Sequence, residues 1–449
     1  MNARISVIGG GLAGCEAAWQ LAERDIPVRL VEMRPSVMTP AHKTGQLAEV
    51  VCSNSFGGVI GPEAEGHITA AGILKEELEA GRSLILACAR TTRVPAGGAL
   101  AVDRERFSAL VTERITAHPN IELVHEEMTS PPDGPAILAT GPLTAPSLAE
   151  ALRTALGQAS IAFFDAVAPI VTRESINMDR AFVAGRYGRG GDYINCPMTK
   201  EEYLAFYDAL IHAERALPHD FERGMYFEGC MPIEALADRG QDTMRFGPMR
   251  PVGLPDPRTG RESWAVVQLR QDNAEGTLYN LVGFQTGLKW GEQKRVFAMI
   301  PGLERAEIVR FGVMHRNTSV NAPAVLDPWL RLRPLEREDL FIAGQLTGVE
   351  GYMESTAMGL VAGLNAACLL QGQPLPTWPD ETAIGSLLRY LRTADPAHFQ
   401  PMNVNLGIFP PLERRIRDKR QRAAAYRNRA AEALRRGAPV LRGGAQDFA

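Results

Sequence analysis

Apolar residues near the start of the chain follow first a strand-like and then a helix-like spacing. Ile5–Ile8 and Val28–Val31 are short apolar runs typical of buried strands. Between them, Ala17, Ala18 and Leu21 recur at helical spacing. The pattern therefore predicts a strand–turn–helix–strand unit at the beginning of the chain.

The turn of this unit has the spacing of a dinucleotide-binding motif. Gly9, Gly11 and Gly14 fill G-x-G-x-x-G, and Glu32 ends the second strand. Glycines allow a sharp turn and close approach of a pyrophosphate to the helix N-terminus, while the acid binds ribose hydroxyls. A glutamate favours FAD or NAD over NADP. The predicted contacts are Gly9, Gly10, Gly11, Leu12, Ala13, Gly14 and Glu32.

A second strand–loop–helix pattern lies far along the chain. Leu340–Ala343 reads as a strand, Gly344–Gly351 as a glycine-rich loop and Met353–Ala362 as a helix of small residues. Such an element is similar to the one that closes over the flavin in FAD enzymes of the two-dinucleotide-domain type, as is ILATGPL at 137–143. This similarity favours FAD, with further contacts from Gly344, Gln345, Gly351 and Tyr352.

Composition is that of a soluble globular protein. The 449 residues are 45% hydrophobic and 22% charged, and the net charge of −4 gives no general attraction to nucleic acid. We find no uncharged apolar run of the roughly 18 residues that a membrane span needs. A cytoplasmic protein without membrane association is expected. Six cysteines without a CxxC pair and eight scattered histidines predict no metal site.

Two of the six cysteines lie in polar surroundings. Cys15, Cys88 and Cys368 have small or apolar neighbours and are expected to pack in the core. Cys52 in VCSNSFGG and Cys230 in YFEGCMPIE are the candidates for chemistry.

Positive charge is concentrated near the C-terminus. Residues 413–436 hold ten Lys or Arg and three acids, giving +7, so the remaining chain carries −11. At helical spacing, one face would carry Tyr426 and the basic residues Arg415, Lys419, Arg422 and Arg429. This face is either a surface that binds nucleic-acid phosphates or a solvated terminal helix.

Several blocks together resemble one family across nearly the whole chain. IGGGLAGCEAAWQLA, VCSNSFGG, YFEGCMPIE, NLVGFQTGLKWGEQKRVF and AGQLTGVEGYMESTAMGLVAG occur in the order found in the bacterial folate- and FAD-dependent tRNA (uracil-5-)-methyltransferases. The first and last blocks are also similar to the longer flavoprotein of wobble-uridine carboxymethylaminomethyl modification. That activity, or a non-enzymatic flavin-binding regulator, is the alternative.

The resemblance implies methylation of carbon 5 of the T-loop uridine of tRNA, which yields ribothymidine. Carbon 5 becomes nucleophilic only after a thiolate adds to carbon 6, and a base must then remove the carbon-5 proton. The implied cofactors are FAD, 5,10-methylenetetrahydrofolate as one-carbon donor and NADPH or NADH as reductant. The implied partners are tRNA and folate, with no obligate protein partner and a monomer or weak homodimer.

The resemblance makes Cys230 the candidate nucleophile and Cys52 the second catalytic thiol. Alternatively, Cys52 is the partner in a resting disulfide or adduct, or it only shapes the flavin loop, and the sequence alone does not separate the roles of the two cysteines. Its loop would contact the flavin through Ser53, Asn54, Gly57 and Gly58.

His315, Arg316 and Asn317 are the candidates for binding folate or the uracil edge. A core histidine is the alternative for His315. The glycine-rich loop 184–198, AGRYGRGGDYINCPM, is a lid, an RNA contact or a solvated loop.

The expected fold class is α/β. A Rossmann-type FAD-binding domain would comprise 1–165 and 305–375, with an inserted α+β substrate and tRNA domain at 166–304. A mostly helical basic element would follow at 376–449.

Overall fold

The computed structural model describes residues 4–39, 41–59, 67–156, 160–166, 168–188, 190–216, 231–273, 275–312, 314–397, 399–414 and 416–437, with only the backbone at 160–166 and 314–317. Its strands in chain order are β1 (Ile5–Ile8), β2 (Val28–Glu32), β3 (Ser55–Gly58), β4 (Arg93–Val94), β5 (Ala99–Val102), β6 (Ile121–His125), β7 (Ala136–Leu138), β8 (Ser160–Ala166), β9 (Ile170–Thr172), β10 (Phe182–Val183), β11 (Tyr193–Met198), β12 (Pro255–Asp256), β13 (Arg261–Glu262), β14 (Ala265–Gln271), β15 (Leu278–Leu281), β16 (Ile308–Arg310), β17 (Met314–Val320) and β18 (Leu340–Ile342).

The helices in chain order are α1 (Leu12–Ala22), α2 (Ala70–Ala80), α3 (Leu84–Thr91), α4 (Arg104–Ala117), α5 (Pro146–Leu156), α6 (Lys200–Ile211), α7 (Ile233–Asp238), α8 (Thr243–Phe246), α9 (Trp290–Phe297), α10 (Ala322–Val325), α11 (Tyr352–Leu370), α12 (Ala383–Thr393) and α13 (Lys419–Gly437). The predicted β1–α1–β2 unit is present. The predicted second element is also present, and its helix α11 extends eight residues beyond the predicted end at Ala362.

A five-stranded parallel sheet positions the first glycine-rich turn. Its strand order is β18-β7-β1-β2-β6, and Val7 lies opposite Leu30 on one side and Ile137 on the other. The order reverses between β1 and β7, so the turns after these two strands diverge and leave a crevice at their carboxyl ends. Ligands of open α/β sheets bind at this kind of crevice.

A second, six-stranded sheet has the order β10-β11-β14-β15-β9-β16, and all its pairs are antiparallel. Strand β14, with the sequence AVVQLRQ, lies near its centre. Among the described residues three smaller sheets have the orders β3-β5-β4, β8-β17 and β12-β13. The strands β3, β4 and β5 come between β2 and β6 of the first large sheet in the chain.

Two hydrophobic cores correspond to the two large sheets. The first contains residues from Ile5–Leu156 and from Val320–Ala430, and the second contains residues from Val171–Leu303. Helix α12 contributes Ile384 to the first core. The predicted domain boundaries remain a proposal. Residues of the predicted C-terminal element, such as Ile384 and Ala430, pack in the first core.

Close contact between α1 and α11 joins the two halves of the first core. A Cβ added at Gly359 would lie 2.3 Å from the carbonyl oxygen of Ala13, so only glycine permits this approach. Helix α11 is long and apolar enough to cross a membrane by length and composition, but 89% of its apolar window is buried in the protein. It is the central helix of the first core.

Candidate dinucleotide and catalytic site

The turn after β1 has the geometry that its glycines predict. Gly9 has a φ of +103°, in the left-handed region that favours glycine. A Cβ at Gly14 would lie 1.8 Å from the carbonyl oxygen of Gly9, whereas a Cβ at Gly11 would meet nothing within 4 Å. Gly14 is therefore needed for packing, and Gly11 faces an open cleft at the N-terminus of α1.

Glu32 is fixed beside this turn by its neighbours. Its Oε2 accepts a hydrogen bond from the Gly10 backbone N–H at 2.7 Å, and its Oε1 accepts from Arg34 Nε at 2.8 Å. Burial alone would raise the pKa of Glu32, but the hydrogen bonds and charge of Arg34 hold this pKa below its usual value. The carboxylate stays ionised and keeps acceptor capacity on Oε2 for a ribose hydroxyl.

A cavity of about 290 Å³ lies at the crevice between β1 and β7. A recess of about 70 Å³ beside Glu32 adjoins it, since Gly11, His42, Thr140 and Leu143 line both. The cavity wall also contains Leu12, Ala13, Glu49, Val51, Cys52, Ser53, Ser55, Ala139, Gly141, Pro142, Gln285, Gly344, Gln345, Glu350, Gly351, Tyr352, Ser355 and Asn403. The two glycine-rich motifs and the Cys52 loop therefore enclose one space.

Tyr352 fixes the Cys52 loop to the first turn of α11. Its hydroxyl oxygen accepts hydrogen bonds from the backbone N–H groups of Cys52, at 2.9 Å, and Ser53, at 3.2 Å. Burial, and secondarily the neighbouring Cys52, raises the pKa of Tyr352, so the phenol stays protonated. Since both bonds use the oxygen as acceptor, the phenol proton remains available for a further acceptor.

Two arginines hold the other side of the same loop. Arg104 donates to the carbonyl oxygen of Val50 at 2.6 Å and pairs with Asp272 at 2.9 Å. Arg310 donates to the carbonyl oxygen of Val51. Both guanidinium groups thus contact the backbone of the two residues before Cys52 and hold the loop in place.

Asn54, Gly57 and Gly58 are not among the described residues of the cavity wall. The Asn54 amide donates to the carbonyl oxygens of Val102 and Gln271, at 3.0 and 2.9 Å, and accepts from Arg270 at 3.0 Å. Its hydrogen-bonding groups are used within the protein. The Gly58 carbonyl accepts from Lys75, so these residues shape the loop from behind.

Three comparisons with known proteins agree. The family model described as glucose inhibited division protein A matches residues 4–374. A protein of Desulforudis audaxviator named methylenetetrahydrofolate--tRNA-(uracil-5-)-methyltransferase TrmFO is 59% identical over 429 residues, covering 95% of this chain and 96% of the relative. A protein of the same name from Anoxybacillus flavithermus is 57% identical over 423 residues, covering 94% and 96%.

The chain belongs to this methyltransferase family. The structure of Aquifex aeolicus GidA has a TM-score of 0.69 to the chain at 17% identity, covering 96% of this chain and 73% of that one. This likeness concerns the fold and confirms the predicted α/β class with a Rossmann-type domain. The family resemblance seen in the sequence blocks is confirmed as well.

The family's expected folate residues lie on β17. His315, Arg316 and Asn317 pair with Asp165, Phe164 and Phe163 of β8, and the structure describes only their backbone. Cys230, the expected nucleophile of the family, and Arg415 lie outside the described residues.

The expected tRNA residues of the tail divide into two groups. Lys419 and Arg422 are exposed on α13. Arg429 instead donates to the carbonyl oxygen of Pro411 at 2.8 Å, and Tyr426 packs edge-on against Phe409 at 5.7 Å between ring centroids. The face with Tyr426 and Arg429 therefore contacts the protein.

Sequence reasoning missed other members of the methyltransferase site. The sequence patterns gave no role to Arg104, Arg310 or Gln285, although Gln285 lies in the block NLVGFQTGLKWGEQKRVF. Their contacts with the Cys52 loop or the cavity join positions far apart in the chain. Hydrophobic periodicity does not show which distant positions of the chain meet in the fold. The available sequence signal was a charged or amide residue without an assigned role inside a block similar to the family.

Proposed function

We infer that this chain is a methylenetetrahydrofolate- and FAD-dependent methyltransferase that acts on carbon 5 of a uracil in tRNA. The observation that carries the inference is the position of Cys52: a thiol-bearing loop forms a wall of the dinucleotide cavity. A near-full-length relative, 59% identical, is named for this reaction. The further details, a T-loop uridine and NADPH or NADH as reductant, are part of the proposal.

The residues present fit FAD. Gly11 leaves its side of the cleft open, the N-terminus of α1 has no side-chain cap, and Glu32 offers an acceptor in the adjoining recess. These groups would hold the pyrophosphate and ribose. When bound, FAD supplies the hydride equivalent that reduces a transferred one-carbon unit to methyl.

The protein's own task is to activate the uracil. We assign to Cys230 the addition of a thiolate to carbon 6, which makes carbon 5 nucleophilic. After carbon 5 acquires the one-carbon unit, a base removes its proton and the thiol leaves carbon 6. Cys52, in the loop that Tyr352, Arg104 and Arg310 hold at the cavity, is our candidate for that acid–base exchange.

The chain segments that follow and precede Cys230 support this assignment. The Ile233 N–H donates at 2.7 Å to the carbonyl oxygen of Gln285, and Gln285 is a residue of the cavity wall. The Ala216 N–H donates at 2.7 Å to the carbonyl oxygen of Gly287. Buried Glu234 accepts from Gly287 N–H at 2.6 Å and secures this junction. Ile233 is three residues beyond Cys230 in the chain.

The substrates of this reaction are tRNA and the folate one-carbon donor. We propose that the protein works in the cytoplasm as a monomer or weak homodimer, without membrane attachment and without an obligate protein partner. His315, Arg316 and Asn317 are proposed for folate or the uracil edge.

Trapping on 5-fluorouracil-substituted tRNA tests the function. Fluorine at carbon 5 cannot leave as a proton, so the enzyme should remain covalently attached to the RNA. Cys230→Ala should form neither this adduct nor ribothymidine, whereas Cys52→Ala should form the adduct but no ribothymidine. Cys88→Ala, a change at a buried cysteine of α3, is the matched control and should form both the adduct and ribothymidine.

Adduct formation by Cys230→Ala at the level of the control would contradict the nucleophile assignment. If only Cys52→Ala failed to form it, the two roles would be exchanged. Absence of ribothymidine with the unchanged protein, FAD, methylenetetrahydrofolate and NADPH would reject the function itself.

A further inference from the structure

Aromatic and basic residues lie in two chain segments beside strands of the second sheet, 186–187 between β10 and β11 and 246–252 ahead of β14, and these residues are not in the cavity wall. Phe246 is 81% exposed and Tyr187 is 61% exposed. Single exposed apolar residues are common, but here they occur with Arg186, Arg250 and the exposed Val252. We call these five residues the Tyr187 surface.

The backbone holds this surface in a defined shape. Tyr187 has a φ of 61°, which is uncommon for a residue other than glycine, and its N–H donates to the carbonyl oxygen of Gly253 at 2.7 Å. A Cβ at Gly253 would lie 2.8 Å from the Tyr187 ring, so the ring rests on that glycine. Arg186 ties the two segments together by donating to the Val252 carbonyl oxygen at 2.9 Å.

The charges of the Tyr187 surface favour an anion. Burial, and then the nearby Arg250, lowers the pKa of Arg186, which shows two like charges placed close together. Among the described residues neither arginine forms a salt bridge. The nearby carboxylate of Glu262 accepts from the Gly253 N–H at 2.7 Å, so it is engaged by the backbone.

The Tyr187 surface is connected to the Cys52 loop along β14. Arg186 donates to Gln268 Oε1 at 3.1 Å, and Arg270, two residues further along the strand, donates to Asn54 Oδ1 at 3.0 Å. Side chains two residues apart lie on one face of a strand. One face of β14 therefore runs from the loop that carries Cys52 to Arg186.

We propose that the Tyr187 surface binds the tRNA next to the target uridine, with its arginines on backbone phosphates and its aromatic rings against an unstacked base. The inference rests on the proposed function, because that function supplies the RNA. Proteins read RNA loops by stacking splayed bases on aromatic side chains and by contacting phosphates with basic ones. In this arrangement, the glycine-rich loop 184–198 contacts the RNA.

Two substitutions with different expected signatures test this proposal. Arg250→Gln should weaken binding of unmodified tRNA and reduce the slope of log affinity against log salt by about one. Phe246→Ser should weaken binding about tenfold with an unchanged slope, because stacking releases no counterion. Arg305→Gln, which removes an exposed arginine near the second core, is the control. Fluorescence anisotropy at several salt concentrations gives both quantities.

Bound FAD and the thermal midpoint report whether each variant is folded. The proposal is overturned if both variants match Arg305→Gln in affinity and slope, as they would if the surface bound a protein instead. This outcome is distinct from failure of the proposed function, in which the unchanged protein forms no ribothymidine.

Discussion

At the residue scale, one phenol connects the thiol loop with the cofactor cavity. Tyr352 lies in the cavity wall, and its oxygen accepts both the Cys52 and the Ser53 N–H groups. Without that oxygen two partly buried donors lose their partner, and leaving a buried donor unsatisfied costs about 1–3 kcal/mol. The position of the thiol therefore depends on a side chain 300 residues away in the sequence.

Tyr352→Phe should weaken FAD binding by about tenfold and slow ribothymidine formation, because the loop loses its attachment while the ring remains. Tyr390→Phe is the matched control, since the Tyr390 hydroxyl donates to the carbonyl oxygen of Gln400 at 2.7 Å, away from the cavity wall. FAD titration by fluorescence quenching measures the effect. Equal FAD affinity in the two variants would show that the loop is held by other contacts.

At the scale of elements, a buried carboxyl group joins helices α2 and α12. Glu77 accepts hydrogen bonds from the N–H groups of Ala383 and Ile384, the latter at 2.9 Å, and so caps α12 from a neighbouring helix. Burial raises the pKa of Glu77 to about 8, against the opposing effect of these N–H groups. The junction is therefore sensitive to pH.

The free energy of unfolding should fall as pH rises from about 5 to 8. A carboxyl group with a raised pKa stays protonated in the folded state and ionises in the unfolded state, so the folded state binds more protons in this window. The slope should be on the order of 1 kcal/mol per pH unit for each such group. Buried Glu16 and Glu234, each with a pKa raised to about 7, add slopes of the same sign.

Glu77→Gln should reduce that slope, most clearly between pH 7 and 8. Urea unfolding at intervals of one pH unit measures it, and Glu76→Gln on the same helix is a control whose carboxyl pairs with Arg427 at the surface. A slope in Glu77→Gln as steep as in the control would mean that Glu77 is ionised in the folded protein.

At the scale of the whole molecule, positive charge is exposed at the start of α13 and on the Tyr187 surface. The exposed Lys419 and Arg422 lie at the start of α13, and the Tyr187 surface lies beside strands of the second sheet. The rest of the chain is acidic in sum, so these patches would orient an approaching polyanion.

Charge reversal at Lys419 and Arg422 should weaken tRNA binding and lower its salt slope by about two, because two counterions fewer are released. The visible spectrum of bound FAD should not change. Reversal of Arg305 serves for comparison. A salt slope equal to that of the comparison variant would mean that the start of α13 is only solvated.

The sequence predicted those features that a local pattern determines. Gly9, Gly14 and Glu32 occupy positions where backbone geometry demands particular residue types, and the structure has them in those places. Asn54 has a residue type suited to cofactor binding, yet the partners of its amide are set by β14, over 200 residues away. Helical spacing likewise predicted α13 but not that its small residues, such as Ala430, would be the buried ones.

The contact between α1 and α11 has a consequence for biogenesis. Gly359 lies against Ala13, and β18 completes the edge of the parallel sheet beside β7. When the nascent chain has left the ribosome only as far as the residues of the second sheet, α11 has not yet emerged. The nucleotide-binding motif is then without the helix that covers it. The flavin cavity is assembled only after residues up to α11 have left the ribosome, so cofactor loading is a late event in synthesis. Until then the exposed apolar face of α1 is a natural target for chaperones.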